Sequence, residues 1–214
     1  MTRDEFIETL SKLWEEHQGE LSTALAETRL KKSQPHWLWD VYLMSICTNG
    51  GSNNYARKKE QYGIALEWKH LAKISKQNRA DLFHNLPNPR RRKLLSPALE
   101  DSFNSILEAG GPESVALHYD GLATVAERMK FWKSFRGIGE KYARNIPMDI
   151  GDPLFTQHIA LDSRINQLID KVVDAPAKSN YEARETFVLA LGQDAGITNA
   201  WYLDRLLYKC HDRF

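Results

Sequence analysis

Lys141 lies two residues beyond Gly139 in 134-SFRGIGEKYARNIPMDIG-151, and Asp162 follows an apolar pair in 158-HIALDSRINQLI-169. A lysine in the first turn of a helix faces the positive end of the helix dipole, the unfavourable end for a structural cation. A free amine at that position is a nucleophile able to form a Schiff base. Asp162 precedes 163-SRINQLI-169 and reads as an N-cap. An anion there can also stabilise positive charge developing on a deoxyribose ring. Gly137 and Gly139 flank Ile138 just upstream. Glycine permits positive φ and close backbone approach, so this turn can present bare amides, which at the start of a helix suit a phosphate oxygen. Each feature also has a plain reading: a tight turn, an exposed lysine, a simple cap.

Helices are needed to hold these groups. Phe6, Ile7, Leu10, Leu13 and Trp14 follow the i, i+3, i+4, i+7 spacing of an amphipathic first helix. The stretch 37-WLWDVYLMSIC-47 is apolar almost all round and predicts a buried central helix. Ser96 and Pro97 fit the N-cap and first helical position of a helix over 97–109, closed by Gly110 and Gly111. Thr124 is suited to cap 125-VAERMKFWKSF-135, and 179-SNYEARETFVLALGQ-193 and 198-TNAWYLDRLLYKCH-211 predict two more helices split at Gly196. No sustained alternation rich in β-branched residues stands out. The expectation is an all-α protein with one domain over 1–214. A central lobe of about 35–150 and a second lobe built from 1–34 and 151–214 would meet at a cleft carrying the glycine turn.

Composition narrows the partners. The chain is 42% hydrophobic and 27% charged, ordinary for a soluble protein, and no apolar run approaches a membrane span. The start, MTRDEFIETLSKLWEEH, is acidic and helical rather than signal-like, so an intracellular protein, cytoplasmic or nucleoid-associated, is expected. Cys47 and Cys210 are too few for a four-cysteine iron–sulfur or zinc site and are expected as buried thiols. The net charge of +1 provides no global basic field. Local clusters exist at 57-RKK-59, 90-RRRK-93 and 128-RMKFWKSFR-136, but charge runs alone are commonly solvated faces.

Together the hairpin, lysine and aspartate resemble the helix-hairpin-helix DNA glycosylase superfamily, over roughly residues 35 to 210. In its bifunctional members a lysine occupies the position of Lys141 in 137-GIGEKYA-143, and the aspartate corresponds to Asp162 in 161-LDSRI-165. The run 45-SICTNGGSNNYAR-57 resembles the Asn-rich segment of the 8-oxoguanine branch, where short polar side chains and an arginine fill the gap left by an extruded base. Asn53, Asn54 and Arg57 carry that role over, with Asn49 as a rival. The resemblance implies a monomer acting on double-stranded DNA that contains a damaged base or abasic site. It implies no catalytic metal or organic cofactor, and a structural monovalent cation at the hairpin. Gly137, Ile138 and Gly139 would contact the DNA backbone, and Trp132, Trp201, Tyr202 and Phe214 are candidates to stack on the base.

Three departures mark the chain. Arg164 stands where the family usually has a histidine, the linker 151-GDPLFTQHIA-160 is a few residues longer than usual, and the clustered cysteines of the endonuclease III branch are missing. Other readings remain: a glycosylase for an alkylated purine or oxidised pyrimidine, a non-enzymatic helix-hairpin-helix DNA-binding module, or a helical scaffold.

Overall fold

The computed structural model describes residues 1–51 and 54–214, and among these no strand occurs. The protein is all-α. In chain order the helices are α1 (Arg3–Arg29), α2 (Trp37–Thr48), α3 (Asn54–Tyr62), α4 (Trp68–Leu71), α5 (Lys76–Asn85), α6 (Arg92–Glu108), α7 (Pro112–Asp120), α8 (Val125–Ser134), α9 (Glu140–Asp149), α10 (Ser163–Asp170), α11 (Tyr181–Asp194) and α12 (Ala200–Lys209). No helix among the described residues is long and apolar enough to cross a membrane. The chain divides into two compact units, Lys31–Ile146 and Met1–Leu30 with Pro147–Phe214. The division falls inside α9 at Pro147, whose ring nitrogen has no proton to give the Ala143 carbonyl.

In the first of these units α2 is the core helix. Leu38, Trp39, Tyr42 and Ile46 are fully buried, as an all-round apolar sequence requires. Trp39 sits among Trp68, Phe83 and Phe103 with ring centroids 5.5, 5.9 and 5.6 Å away, and its indole nitrogen donates to the Leu66 carbonyl at 3.2 Å. α5 packs along α6.

The start of α6 differs from expectation, because the helix opens at Arg92 and carries Pro97 inside it. Ser96 is therefore not a cap. Proline forfeits one intrahelical bond, to the Lys93 carbonyl, while burial of Leu95, Ala98 and Leu99 on both sides of it rewards continuing the helix. α8 begins as its sequence indicates: Thr124 Oγ1 accepts from the Glu127 amide at 3.2 Å, and Glu127 accepts from the Thr124 amide at 2.9 Å.

In the second unit α1 buries Phe6, Leu10, Leu13, Leu21 and Leu25 along one face, packed against α11 and α12. α12 in turn packs on α10, the helix that Asp162 opens. Arg184 of α11 ties α10 down from below. It is 1% exposed, and its guanidinium donates to the Asn166 carbonyl and Asp170 carboxylate of α10 at 2.8 and 2.9 Å, and to the Pro176 carbonyl at 2.8 Å. Truncation would remove a buried donor from three acceptors at once, of which, among the described residues, only Asp170 keeps a second cation, Lys178 at 2.5 Å. Arg184→Ala is expected to lower stability by about 3 kcal/mol, the low end for a broken buried pair because Asp170 keeps access to water. Chemical denaturation of the two proteins reads this directly; a loss below about 1 kcal/mol would show that α10 is held by its apolar face alone.

Candidate functional site

The turn between α8 and α9 is anchored from inside by its apolar residues. Phe135 and Ile138 are 8% and 7% exposed, and Phe135 packs against Trp132 and Tyr42 at 5.7 and 5.4 Å. The Tyr42 hydroxyl, buried on α2, lies 3.0 Å from the Ala98 carbonyl and 3.3 Å from the Arg136 carbonyl, and accepts from Ser102 Oγ at 2.7 Å. Burial pushes this phenol well above its usual pKa, so it stays a proton donor to the turn. The Ile138 amide closes the turn on the Phe135 carbonyl at 3.1 Å.

The two glycines are not equivalent. Gly137 has φ +91°, and a Cβ there would meet Ile46 Cδ1 and Leu95 Cδ2 at 3.0 Å, whereas a Cβ on Gly139 would meet nothing within 4 Å. Gly137 is required by the fold, whereas the space around Gly139 would admit a side chain. Gly137→Ala is therefore expected to destabilise by about 2–3 kcal/mol through left-handed strain and overpacking. Gly139→Ala should stay within about 0.5 kcal/mol of the parent. Thermal unfolding of the pair checks the difference, and equal losses would contradict it.

Gly139 accepts the first bond of α9, from the Ala143 amide at 2.9 Å. The amides of Gly139, Glu140 and Lys141 make no hydrogen bond among the described residues. The Glu140 carboxylate beside them is held by Lys133 at 2.9 Å and by Arg144, which together keep its pKa below the usual value. Lys141 is half-buried, its Nζ lies 4.9 Å from the Tyr142 ring centroid, and it forms no ion pair or hydrogen bond among the described residues. Lys133, a neighbouring amine in α8, is by contrast taken up by Glu140.

Asp162 belongs to the other unit and caps α10. Its Oδ1 accepts from the Arg164 and Ile165 amides at 2.9 and 2.8 Å, while Oδ2 makes no hydrogen bond among the described residues. One oxygen holds the helix and one remains available. The segment leading into it is clamped by α11. The Tyr181 hydroxyl donates to the Ile159 carbonyl at 2.9 Å and accepts from the Leu161 amide at 3.0 Å, and Glu185 accepts from the Ile159 amide at 2.9 Å. Asn166 adds a bond to the Asp162 carbonyl at 2.8 Å. Sequence reasoning missed these positioning residues. Their one legible trace is that Tyr181 and Glu185 stand four apart, on the same face of a helix. Arg164 lies over the Tyr208 ring at 4.5 Å.

The Asn-rich segment is only partly as expected. Asn53 lies outside the described residues. Asn54 is 4% exposed, and its amide donates to the Cys47 and Leu86 carbonyls at 2.8 and 2.9 Å. This corrects its assignment to DNA contact: it is a tie between α2 and the end of α5. Asn49, half-buried at the end of α2, and Arg57, exposed on α3, make no side-chain hydrogen bond or ion pair among the described residues.

Two of the stacking candidates, Trp132 and Trp201, are corrected too. Trp132 is fully buried against Tyr119 and Phe131 at 5.5 and 5.2 Å, and Trp201 is 5% exposed with its indole donating to the Met148 carbonyl at 3.0 Å. Phe214 stacks on Phe6 at 4.6 Å, and Tyr202 leans on Trp14 at 5.2 Å. Trp132 and Trp201 serve packing, whereas Phe214 and Tyr202 are half-buried and keep part of their surface open. The basic run around Arg128 is likewise not a uniform face, since Arg128 is buried over the Tyr119 ring at 5.0 Å. Both cysteines are buried and free, and burial pushes the Cys47 thiol up to about 12, which keeps it unreactive.

Comparison of the chain with protein-family models, with curated proteins and with solved structures returns no match.

Proposed function

We propose that the protein is a helix-hairpin-helix DNA glycosylase with AP lyase activity, using Lys141 as nucleophile and Asp162 as the charge-stabilising carboxylate. The observation that carries this reading is the first turn of α9: three consecutive amides at a helix N-terminus with no hydrogen bond, beside an amine with no counter-ion, among the described residues. Those amides suit a backbone phosphate, and they do so without the strongly basic surface that a net charge of +1 denies the chain.

The target base leaves the stack first, since its sugar carbon is shielded in the duplex. The Lys141 amine attacks C1′ as the base departs, and Asp162 stabilises the oxocarbenium-like charge that develops. The C1′–O4′ bond then breaks, O4′ taking up a proton as the nitrogen gives one up, and the Schiff base so formed permits β-elimination of the 3′-phosphate, which cuts the strand. Borohydride trapping on abasic and lesion-bearing duplexes tests the assignment. A non-enzymatic DNA-binding module is the second reading, favoured by the two cap bonds that Asp162 Oδ1 already makes.

We assign 8-oxoguanine as the lesion, on the likeness of 45-SICTNGGSNNYAR-57 to that branch, a likeness that now rests on Asn53 and Arg57, with Asn49 as the rival. A plug residue helps only when a paired base must be extruded. Arg57→Ala is accordingly expected to slow excision from a duplex about tenfold, equal to about 1.4 kcal/mol, with cleavage of an existing abasic site nearly unchanged. Equal losses on both substrates would rule out a plug. Gly139→Val should weaken binding to unrelated duplexes alike, because amides read backbone and carry no base information. Anisotropy titrations at fixed salt that find parental affinity would reduce the hairpin to a turn.

A further inference from the structure

A cleft of about 490 Å³ lies between α5 and α6, and none of its lining residues belongs to the site described above. Its walls are largely apolar: Phe83 is 1% exposed, and Ala80, Pro89 and Pro97 add aliphatic surface against which a flat ring can lie. Clefts of about 300–1,000 Å³ accommodate whole small molecules. The charged groups in the lining are His84, Arg92, Lys93 and Glu100. Glu100 is already neutralised, because Arg79 holds both of its oxygens at 3.0 and 3.4 Å. What remains is cationic.

Two polar atoms of lining residues sharpen this. Arg92 Nε and Ser96 Oγ are buried and have no hydrogen-bond partner among the described residues. Folded proteins leave few buried polar atoms unpaired, so two of them on neighbouring turns of one cleft wall need an explanation. Here the bare groups are a guanidinium N–H and a hydroxyl one helical turn apart on α6, with Lys93 between them in sequence. Both can donate, so the complementary ligand is an anion rich in acceptor oxygens.

We propose that this cleft binds a small phosphorylated metabolite carrying a flat ring, of the 5′-mononucleotide class. The phosphate accepts from Arg92 Nε and Ser96 Oγ, Lys93 and His84 supply the surrounding donors, and the ring lies along Pro89, Pro97 and Ala80. The inference goes beyond the glycosylase reading and does not depend on it, because it concerns binding at residues that the proposed chemistry leaves unused.

Isothermal titration of the full chain with 5′-AMP, with adenosine and with inorganic phosphate tests it. The expected result is saturable one-to-one binding of 5′-AMP, with adenosine and phosphate each at least tenfold weaker. Arg92→Gln and the exposed Lys93→Gln should each weaken 5′-AMP at least tenfold, and Ala80→Leu, which fills the cleft, should abolish binding. Circular dichroism identifies any variant that fails to fold, and the surface change at Lys93 keeps the test decisive if the other two do. Absence of binding at millimolar 5′-AMP overturns the proposal, as does binding that folded variants leave unchanged. Phosphate binding as tightly as 5′-AMP overturns the assignment to a ring-bearing ligand. Loss of borohydride trapping in Lys141→Gln is read separately, so failure of either idea leaves the other standing.

Discussion

Lys141→Gln should lose all borohydride trapping on abasic DNA while still binding the duplex. Borohydride reduces the C=N bond of a Schiff base to a stable secondary amine, so a covalent band reports the nucleophile itself. Glutamine keeps most of the side chain's length and is a comparable helix former, so α9 should be undisturbed. Lys141 also has no ion pair or hydrogen bond among the described residues to forfeit, and stability should move by no more than about 0.5 kcal/mol. The amides of Gly139 and Glu140 remain in place, which is why affinity should largely survive. Lys130→Gln and Lys133→Gln are the matched controls, one an exposed amine of α8 and the other an amine already held by Glu140. Both should trap like the parent. Trapping that persists in Lys141→Gln and disappears in a control would move the nucleophile into α8. Trapping absent from the parent on every abasic and lesion-bearing duplex would leave the hairpin as a DNA-binding element without chemistry.

Features that depend on a few neighbouring residues were legible before the fold. Thr124 and Glu127 form their capping box within three residues of each other, and Asp162 finds its amides within three residues as well. The positive φ of Gly137 is a local property of a turn, and the all-round apolar α2 could only be buried.

The errors share one cause, contacts made far along the chain. Asn54 has the composition of a surface loop, yet a carbonyl 32 residues away turns it inward. Ser96 and Pro97 form a good local start signal, overruled because Arg92 to Leu95 extend a helix whose apolar face is buried. Trp132 can pack or stack equally well by type, and only its neighbours in α7 and α8 decide. The Tyr181 and Glu185 clamp was illegible for the same reason: its acceptors and donors lie 20 to 26 residues upstream, in a segment with no regular periodicity to flag it.

Asp162→Asn should lower the rate of base excision by about 10²–10³-fold and leave the fold intact. The two expectations come apart because the cap uses only one of the carboxylate's oxygens. Oδ1 accepts both cap bonds, from the Arg164 and Ile165 amides, and Asn supplies an equivalent oxygen. Asn and Asp are near-equal N-caps, so α10 should keep its start within a few tenths of a kcal/mol. Arg184, Tyr181 and Asn166 hold the helix and the segment before it without using the carboxylate. What Asn removes is the negative charge, and losing a preorganised electrostatic group commonly costs about 3 kcal/mol of transition-state stabilisation. Asp162→Ala completes the series: it removes the charge and the cap together, so it should match Asn in rate and lose a further ~1 kcal/mol of stability. Single-turnover excision assays paired with denaturant melts therefore separate the roles. If Asn retains parental rates and only Ala is impaired, in proportion to its lost stability, Asp162 is a helix cap and nothing more. If both are slowed alike while only Ala is destabilised, the negative charge of Asp162 serves the reaction separately from its cap.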